Sequence, residues 1–358
     1  MRAILLNPGP VSLSEGVRRA AVSVDLCHRE PEFADLQDRV LNKLRQVYEL
    51  ERETWTPVTL GGSGTTALEA TLASLVPRQG RLLVLQNGVY GERLTRLAQV
   101  QGIPCETIVH GWLDAWDFER LTAALSGGHF THVAAVHHET TTGRLNAVDV
   151  LAGMCEQKGV RLLLDAVSSF GAEAIPFHSP ALVACAVTAN KCLHGIPGLC
   201  LVMVRRAELA AAVEPPRSLT LDLALWSREQ DRRSTPFTPS VNGFLALDQA
   251  LTELAEGGGW TARHARYHEL ADRVAQRLAV HGVTTLLPAA ESSCVVRAYH
   301  LPRGQSYGEV HDGMKQRGFV VYAGQGQLAT ELFRISTMGD ITDNDLERLL
   351  AALDDVFS

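Results

Sequence analysis

The sequence predicts an α/β protein, with a mostly parallel sheet in a large domain and a smaller α+β domain at the C-terminus. Three observations lead there. From about residue 56 to 205, apolar runs such as LLVL, HVAAV, RLLLD and LVACAV alternate with helical stretches, the pattern of a parallel sheet covered on both faces. Beyond residue 259 a long helix is followed by strands and helices in mixed order. The length of 358 residues exceeds one average domain. The expected division is a segment 1–16 packing at the site or on the small domain, a large domain over 17–258 and a small domain over 259–358.

In chain order, AILL reads as a short strand and NPGPV as a turn set by prolines and a glycine. Ser14 is placed to cap the helix SEGVRRAA. A loop holds His28 and Arg29, which either face solvent or line a site. Phe33, Leu36, Val40, Leu41, Leu44 and Val47 then recur at helical spacing. PVTLGGSGTTALEATLASLV is a strand, a glycine turn and a helix. Gly62, Gly64 and Ala67 match the G-x-G-x-x-A spacing of dinucleotide sites, but the next strand ends in Asn87 where that motif needs an acidic residue for the ribose. Ser63, Gly64, Thr65 and Thr66 offer backbone N–H groups and hydroxyls at a helix start, enough for one phosphate group or simply for an N-cap. Tyr90 follows the next strand end, where a ring either stacks on a planar ligand or packs. Thr140, Thr141 and Thr142 place hydroxyls at another strand end, for a ligand oxygen or a helix cap.

RLLLD ends in Asp165 and LVACAVTAN ends beside Lys191, so a carboxylate and an amine meet beyond the strand ends, where α/β folds bind ligands. One reading is a structural ion pair. The other is pyridoxal phosphate, with Lys191 bonded to the cofactor and Asp165 paired with its pyridine nitrogen. The stretch from Arg217 to Ser240 is expected to be long and irregular, a functional loop or an interface. In the C-terminal part TTLLP, SSCVVRAYHL, FVVYAG and LFRIST read as strands, with helices at SYGEVHDGMKQRG and DNDLERLLAALDDVF. Arg334 lies inside LFRIS, where a guanidinium is tolerated only with an anionic partner or at a site mouth.

Hydrophobic residues make up 46% of the chain, ample for a core. A net charge of −7 without a basic tract argues against nucleic acid or an anionic membrane as partner. Seven cysteines without C-x-x-C or Cys/His zinc spacing suit a reducing compartment, and no metal is expected. No apolar run is long enough for a signal peptide or a membrane span, so a cytoplasmic location is expected.

In this order the motifs resemble the fold-type I pyridoxal phosphate enzymes of aminotransferase class V, over nearly the whole chain. GGSGTTALEA resembles their phosphate turn, NGVYG their ring-stacking segment, HHETTTG the loop near the cofactor's phenolic oxygen, LLLDAVSSFG the aspartate strand and TANKCLHGIPG the lysine turn. NGVYGERL, HETTTGRLN, DAVSSFG, NKCLHGIPG, RSLTLDL and LFRISTMGDI are most similar to the branch that moves an amino group from 2-aminoethylphosphonate to pyruvate in phosphonate catabolism. DLCHREPEF instead resembles the alanine:glyoxylate and serine:pyruvate branch, which stands as the alternative. The resemblance implies pyridoxal 5'-phosphate as cofactor, with Lys191 and Asp165 catalytic, Tyr90 stacked on its ring and Ser63, Gly64 and Thr65 on its phosphate. It further implies Thr140, or else Thr142, near the phenolic oxygen, Thr238 reaching across a homodimer interface, Arg334 on the substrate anion and ping-pong kinetics.

Overall fold

The computed structural model describes residues 2–212 and 215–358. It opens with β1 (Ile4–Leu5) and α1 (Glu15–Ala21), whose cap Ser14 accepts from Val17 N at 3.1 Å. α2 (Pro31–Gln46) buries Phe33, Leu36, Val40, Leu41 and Leu44 on one face. The alternating region runs β2 (Trp55–Gly61), α3 (Gly64–Leu75), β3 (Leu82–Gln86), α4 (Val89–Val100), β4 (Cys105–Val109), α5 (Phe118–Ser126) and β5 (His132–Val136). A small hairpin, β6 (His138–Glu139) and β7 (Arg144–Leu145), leads to α6 (Val148–Lys158), β8 (Arg161–Asp165), β9 (Leu182–Thr188) and β10 (Leu199–Arg205). Then come α7 (Arg206–Ala210), α8 (Leu223–Asp231), α9 (Val241–Glu256) and α10 (Gly259–Val280). The chain closes with β11 (Val296–His300), α11 (Tyr307–Gln316), β12 (Phe319–Val320), β13 (Tyr322–Ala323), β14 (Leu332–Ser336) and α12 (Asp343–Phe357).

Seven strands join in the order β2-β10-β9-β8-β5-β3-β4, with β10 antiparallel to both neighbours and every other pair parallel. Since β10 is reversed between β2 and β9, β2 points the same way as the parallel strands. The carboxyl ends of β2, β3, β5, β8 and β9 therefore share one edge of the sheet, and that edge is where a ligand crevice forms. Leu162 and Leu164 face one buried layer and Leu163 the other, as a strand covered on both sides requires. A further core gathers Phe319, Phe333, Leu346 and Leu350 with Ile4 and Leu6, because β1 pairs in parallel with β12. The N-terminal strand thus packs with the C-terminal layer.

Three readings change. Within the stretch expected to be irregular, α8 forms: Asp222 caps it by accepting from Ala224 N and Leu225 N, and Leu223, Trp226, Ser227 and Gln230 fall on its buried face. Its charges, Arg228 and Glu229 among them, disguise an amphipathic helix. TTLLP makes only an isolated bridge, Thr285 to Tyr299, and FVVYAG divides between two sheets as β12 and β13. Among the described residues no helix is long and apolar enough to cross a membrane.

Three histidines are buried around β5, His132 at its start and His137 and His138 just past its end. Desolvation holds His132 down to about 3, and His137 and His138 down to about 4. All three are neutral at ordinary pH, and the unfolded chain takes up their protons first. Their contribution to stability is present above about pH 6.5 and is lost as pH falls toward 4. The melting temperature is expected to drop between pH 7 and 5, and His132→Gln to flatten that slope, as a calorimetric pH series would show.

Candidate active site

The strand ends converge on a cavity of about 240 Å³. Asp165, the last residue of β8, is buried on its floor, and its Oδ1 accepts from Val167 N at 3.0 Å. Burial raises its pKa, opposed by that N–H bond and by the charges of Lys191 and Arg93. Lys191 follows β9, and its side chain makes no hydrogen bond or ion pair among the described residues. Its Nζ stands 5.7 Å from the centroid of the Tyr90 ring, which enters from the first turn of α4. The Arg93 guanidinium covers the same ring at 4.6 Å and reaches Thr65 Oγ1 at 3.3 Å.

Ser63, Gly64 and Thr65 form the wall at the start of α3, where unpaired helical N–H groups favour an anion. Gly64 is required by space: a Cβ there would lie 2.6 Å from Val167 Cγ1. Opposite, Pro8 and Gly9 line the cavity, and a Cβ at Gly9 would stand 3.0 Å from Lys191 Cγ.

Arg334 comes from the central strand β14, whose neighbour Tyr322 also faces the cavity. The arginine is 3% exposed. Its Nε donates to Ala323 O at 2.9 Å, and Nη1 to Thr140 O at 2.8 Å and Gln325 Oε1 at 3.2 Å. No carboxylate among the described residues pairs with it, and burial lowers its pKa. A buried guanidinium is costly unless it is hydrogen-bonded or paired, and here three neutral acceptors hold it. Behind it, Glu139 is fully buried and takes N–H bonds from Tyr90 and Gly91 at the start of α4 and a hydroxyl bond from Thr141 at 2.6 Å. Burial lifts its pKa to about 7.

The structure thus brings together Ser63, Gly64, Thr65, Tyr90, Asp165, Lys191 and Arg334 on one cavity. Thr140 and Thr142 are buried and lie outside its lining, yet the hydroxyl of each lacks a partner. Thr238 is exposed and does not reach the cavity of this chain. Arg29 instead ties its loop to Thr235 O at 2.6 Å, and Arg217 donates to the carbonyls of Ala73, Val76 and Pro77 at the end of α3. His28 is half-buried away from the cavity. Sequence reasoning missed Arg93, whose signal was its i+3 spacing from Tyr90 on one helix face. It also missed Asn190, Tyr322 and Gln325. A cleft of about 290 Å³ elsewhere, among Arg45, Arg52, Arg206 and Asp231, has no lysine, histidine or cysteine on its walls, and Arg206 there is already paired with Asp231.

A sheet edge that gathers the start of α3, the Tyr90 ring, Asp165 and Lys191 on one cavity belongs to a class that the comparisons identify. The model of the aminotransferase class-V family matches residues 20–349, and the chain belongs to that family. It is an aminotransferase. The 2-aminoethylphosphonate–pyruvate transaminase of Vibrio cholerae is 35% identical over 98% of this chain and 96% of its own length. Its namesake in Pseudomonas fluorescens is 35% identical over 99% and 96%. Among solved structures, an aspartate aminotransferase from Thermus thermophilus superposes with a TM-score of 0.90 at 26% identity, covering 99% of both chains. An alanine–glyoxylate aminotransferase from Nostoc sp. does so with 0.91 at 25% identity, covering 100% of this chain and 96% of that one.

Proposed function

We propose that this chain uses pyridoxal 5'-phosphate to move the amino group of 2-aminoethylphosphonate to pyruvate, giving 2-phosphonoacetaldehyde and L-alanine. The observation that carries the substrate class is Arg334: a buried cation, without a salt-bridged carboxylate among the described residues, on the wall of the cavity that holds Lys191. The names of relatives alike over nearly the full chain supply the donor and acceptor.

The residues fit the cofactor. Ser63, Gly64 and Thr65, with Arg93 beside them, would hold its phosphate, and Tyr90 its ring face. Asp165 would pair with the ring nitrogen, and a protonated partner there favours the ionised carboxylate that burial alone opposes. The partnerless hydroxyls of Thr140 and Thr142 are the donors left over for an oxygen, Thr140 being tied through its carbonyl to Arg334. When bound, the cofactor supplies the carbonyl that takes up the amino group and a ring that withdraws electrons from the reacting carbon. Lys191 Nζ, unpaired, removes the proton from the amine-bearing carbon of the donor and returns one to pyruvate's carbon in the second half of the cycle. Arg334 orients both anions, phosphonate and carboxylate, in turn. We place Thr238, exposed on its own chain, against the phosphate of a partner subunit, and read the enzyme as a homodimer divided into residues 17–258 and 259–358. Seven free cysteines suit a reducing cytoplasm.

The test is a half-reaction: purified holoenzyme receives 2-aminoethylphosphonate without a keto acid, and its visible cofactor absorbance is followed. Bleaching with release of phosphonoacetaldehyde supports the reading. Bleaching with alanine or serine alone would move the enzyme to the glyoxylate branch. Gly64→Ala is expected to cut turnover on the order of tenfold to a hundredfold, because its methyl pushes on Val167, whose N–H positions Asp165. Steady-state kinetics alongside circular dichroism would register it; unchanged turnover would refute the coupling.

A further inference from the structure

We propose that His264, His268 and Cys294, with Glu173, form a site for a borderline-soft divalent cation such as zinc, outside the cavity that Lys191 lines. His264 and His268 lie one turn apart on α10 with ring centroids 4.5 Å apart, both half-buried. Cys294 and Glu173 are fully buried behind them. Donor atoms of the two histidines and the cysteine all lie within 4.8 Å of one another. Cys294 Sγ is 3.6 Å from His264 Nδ1, and the Glu173 oxygens are 3.3 Å from that nitrogen and 3.3 Å from the sulfur. Zinc bonds of about 2.0–2.3 Å set the edges of a tetrahedron at roughly 3.3–3.8 Å; the separations among Glu173, His264 Nδ1 and Cys294 Sγ fall in that range, and His268 would draw in by rotation of its side chain. Two imidazoles, a thiolate and a carboxylate are donors that favour zinc over calcium or magnesium.

Glu173 and His264 are held from behind. Glu173 Oε1 accepts from Cys294 N at 3.0 Å and Ser293 Oγ at 2.5 Å. His264 Nδ1 also faces Ala172 O at 2.8 Å, the group a metal would displace. A catalytic Cys–His–Glu relay does not fit, since one and the same imidazole nitrogen faces both the thiol and the carboxylate. Binding would release the Cys294 thiol proton to solvent and leave the thiolate on the metal. The half-buried histidines leave the entry side open. The site would join three parts of the chain: the turn that follows Asp165, helix α10 and the lead into β11. Arg263 of α10 also holds Cys192 O, next to Lys191. Spacing hid the site, for the histidine pair and the cysteine are far apart in sequence and Glu173 farther still.

The experiment titrates the demetallated holoenzyme with Zn²⁺, and separately with Co²⁺ for its thiolate charge-transfer absorption. One zinc per chain is expected, with Kd tighter than about 1 μM, and a melting temperature raised by a few degrees. Cys294→Ser should abolish the cobalt charge-transfer band. His268→Gln, on the half-exposed face of α10 and so little threat to folding, should weaken zinc by at least about tenfold to a hundredfold. Cys27→Ser, at an exposed free cysteine, should leave it unchanged. Absence of stoichiometric binding, or binding untouched by His268→Gln, would overturn the proposal. Neither readout depends on the amino donor.

Discussion

Lys191→Ala is expected to reduce turnover by at least about a thousandfold while the fold is kept. The chain has three other lysines, and none can substitute: Lys43 is committed to Asp248 at 2.6 Å, Lys158 to Ser126 at 3.2 Å, and Lys315 sits on α11. Truncation should leave the surroundings in place, since the Lys191 ammonium makes no hydrogen bond among the described residues and its stem packs against Gly9. The visible cofactor band should disappear or shift, while melting changes little. A small primary amine added to the variant should restore part of the rate, because the lost group is an amine and the space it filled remains. Turnover within tenfold of the parent enzyme would remove Lys191 from the mechanism; a collapsed melting temperature without amine rescue would make its role structural.

The parts of this site that the sequence revealed are those generated by strand ends. Asp165 and Lys191 each terminate a buried apolar run, and since parallel strands end together, two residues distant in sequence had to meet. Ser63 to Thr65 were legible for a related reason, a helix beginning one turn after a strand. What remained hidden depends on packing between layers. Arg93 enters the site only because α4 lays it over Tyr90 and against Thr65. Tyr322 and Gln325 reach the cavity only because β13 pairs with β14, and a two-residue strand carries almost no periodic signal. The helix α8 was missed because its short apolar run LALW passes directly into the polar run SREQD, and Gln230, which accepts from Thr59 N at 2.9 Å, shows how a polar side chain is buried there. Arg334 lies between these cases. Its place in an apolar strand marked it as unusual, and the structure then showed that its missing counter-charge is not supplied by the described residues.

That missing counter-charge makes Arg334→Lys the sharpest test of substrate binding. The guanidinium is a planar fork whose position is set by three acceptors, the carbonyls of Ala323 and Thr140 and the amide oxygen of Gln325. These occupy Nε and Nη1 and leave the other end of the fork for an oxyanion. Lysine keeps the charge but has one nitrogen, so it must choose between the protein carbonyls and the ligand. A hydrogen bond between charged partners contributes about 1.5–3 kcal/mol, so its loss should raise KM roughly tenfold to a hundredfold. Because the same group serves both half-reactions, the rise should appear for 2-aminoethylphosphonate and pyruvate alike, while cofactor absorbance persists. Arg334→Ala should be worse on both. It would also remove the tie between β14 and Thr140, so melting temperatures must accompany the kinetics. If KM rises for the amino donor alone, a second cation holds the carboxylate, and Arg93, already in the cavity beside Thr65, is the candidate. Unaltered KM for both substrates would sink the assignment, leaving the buried charge of Arg334 as a packing element between the β14 sheet and the Thr140 loop.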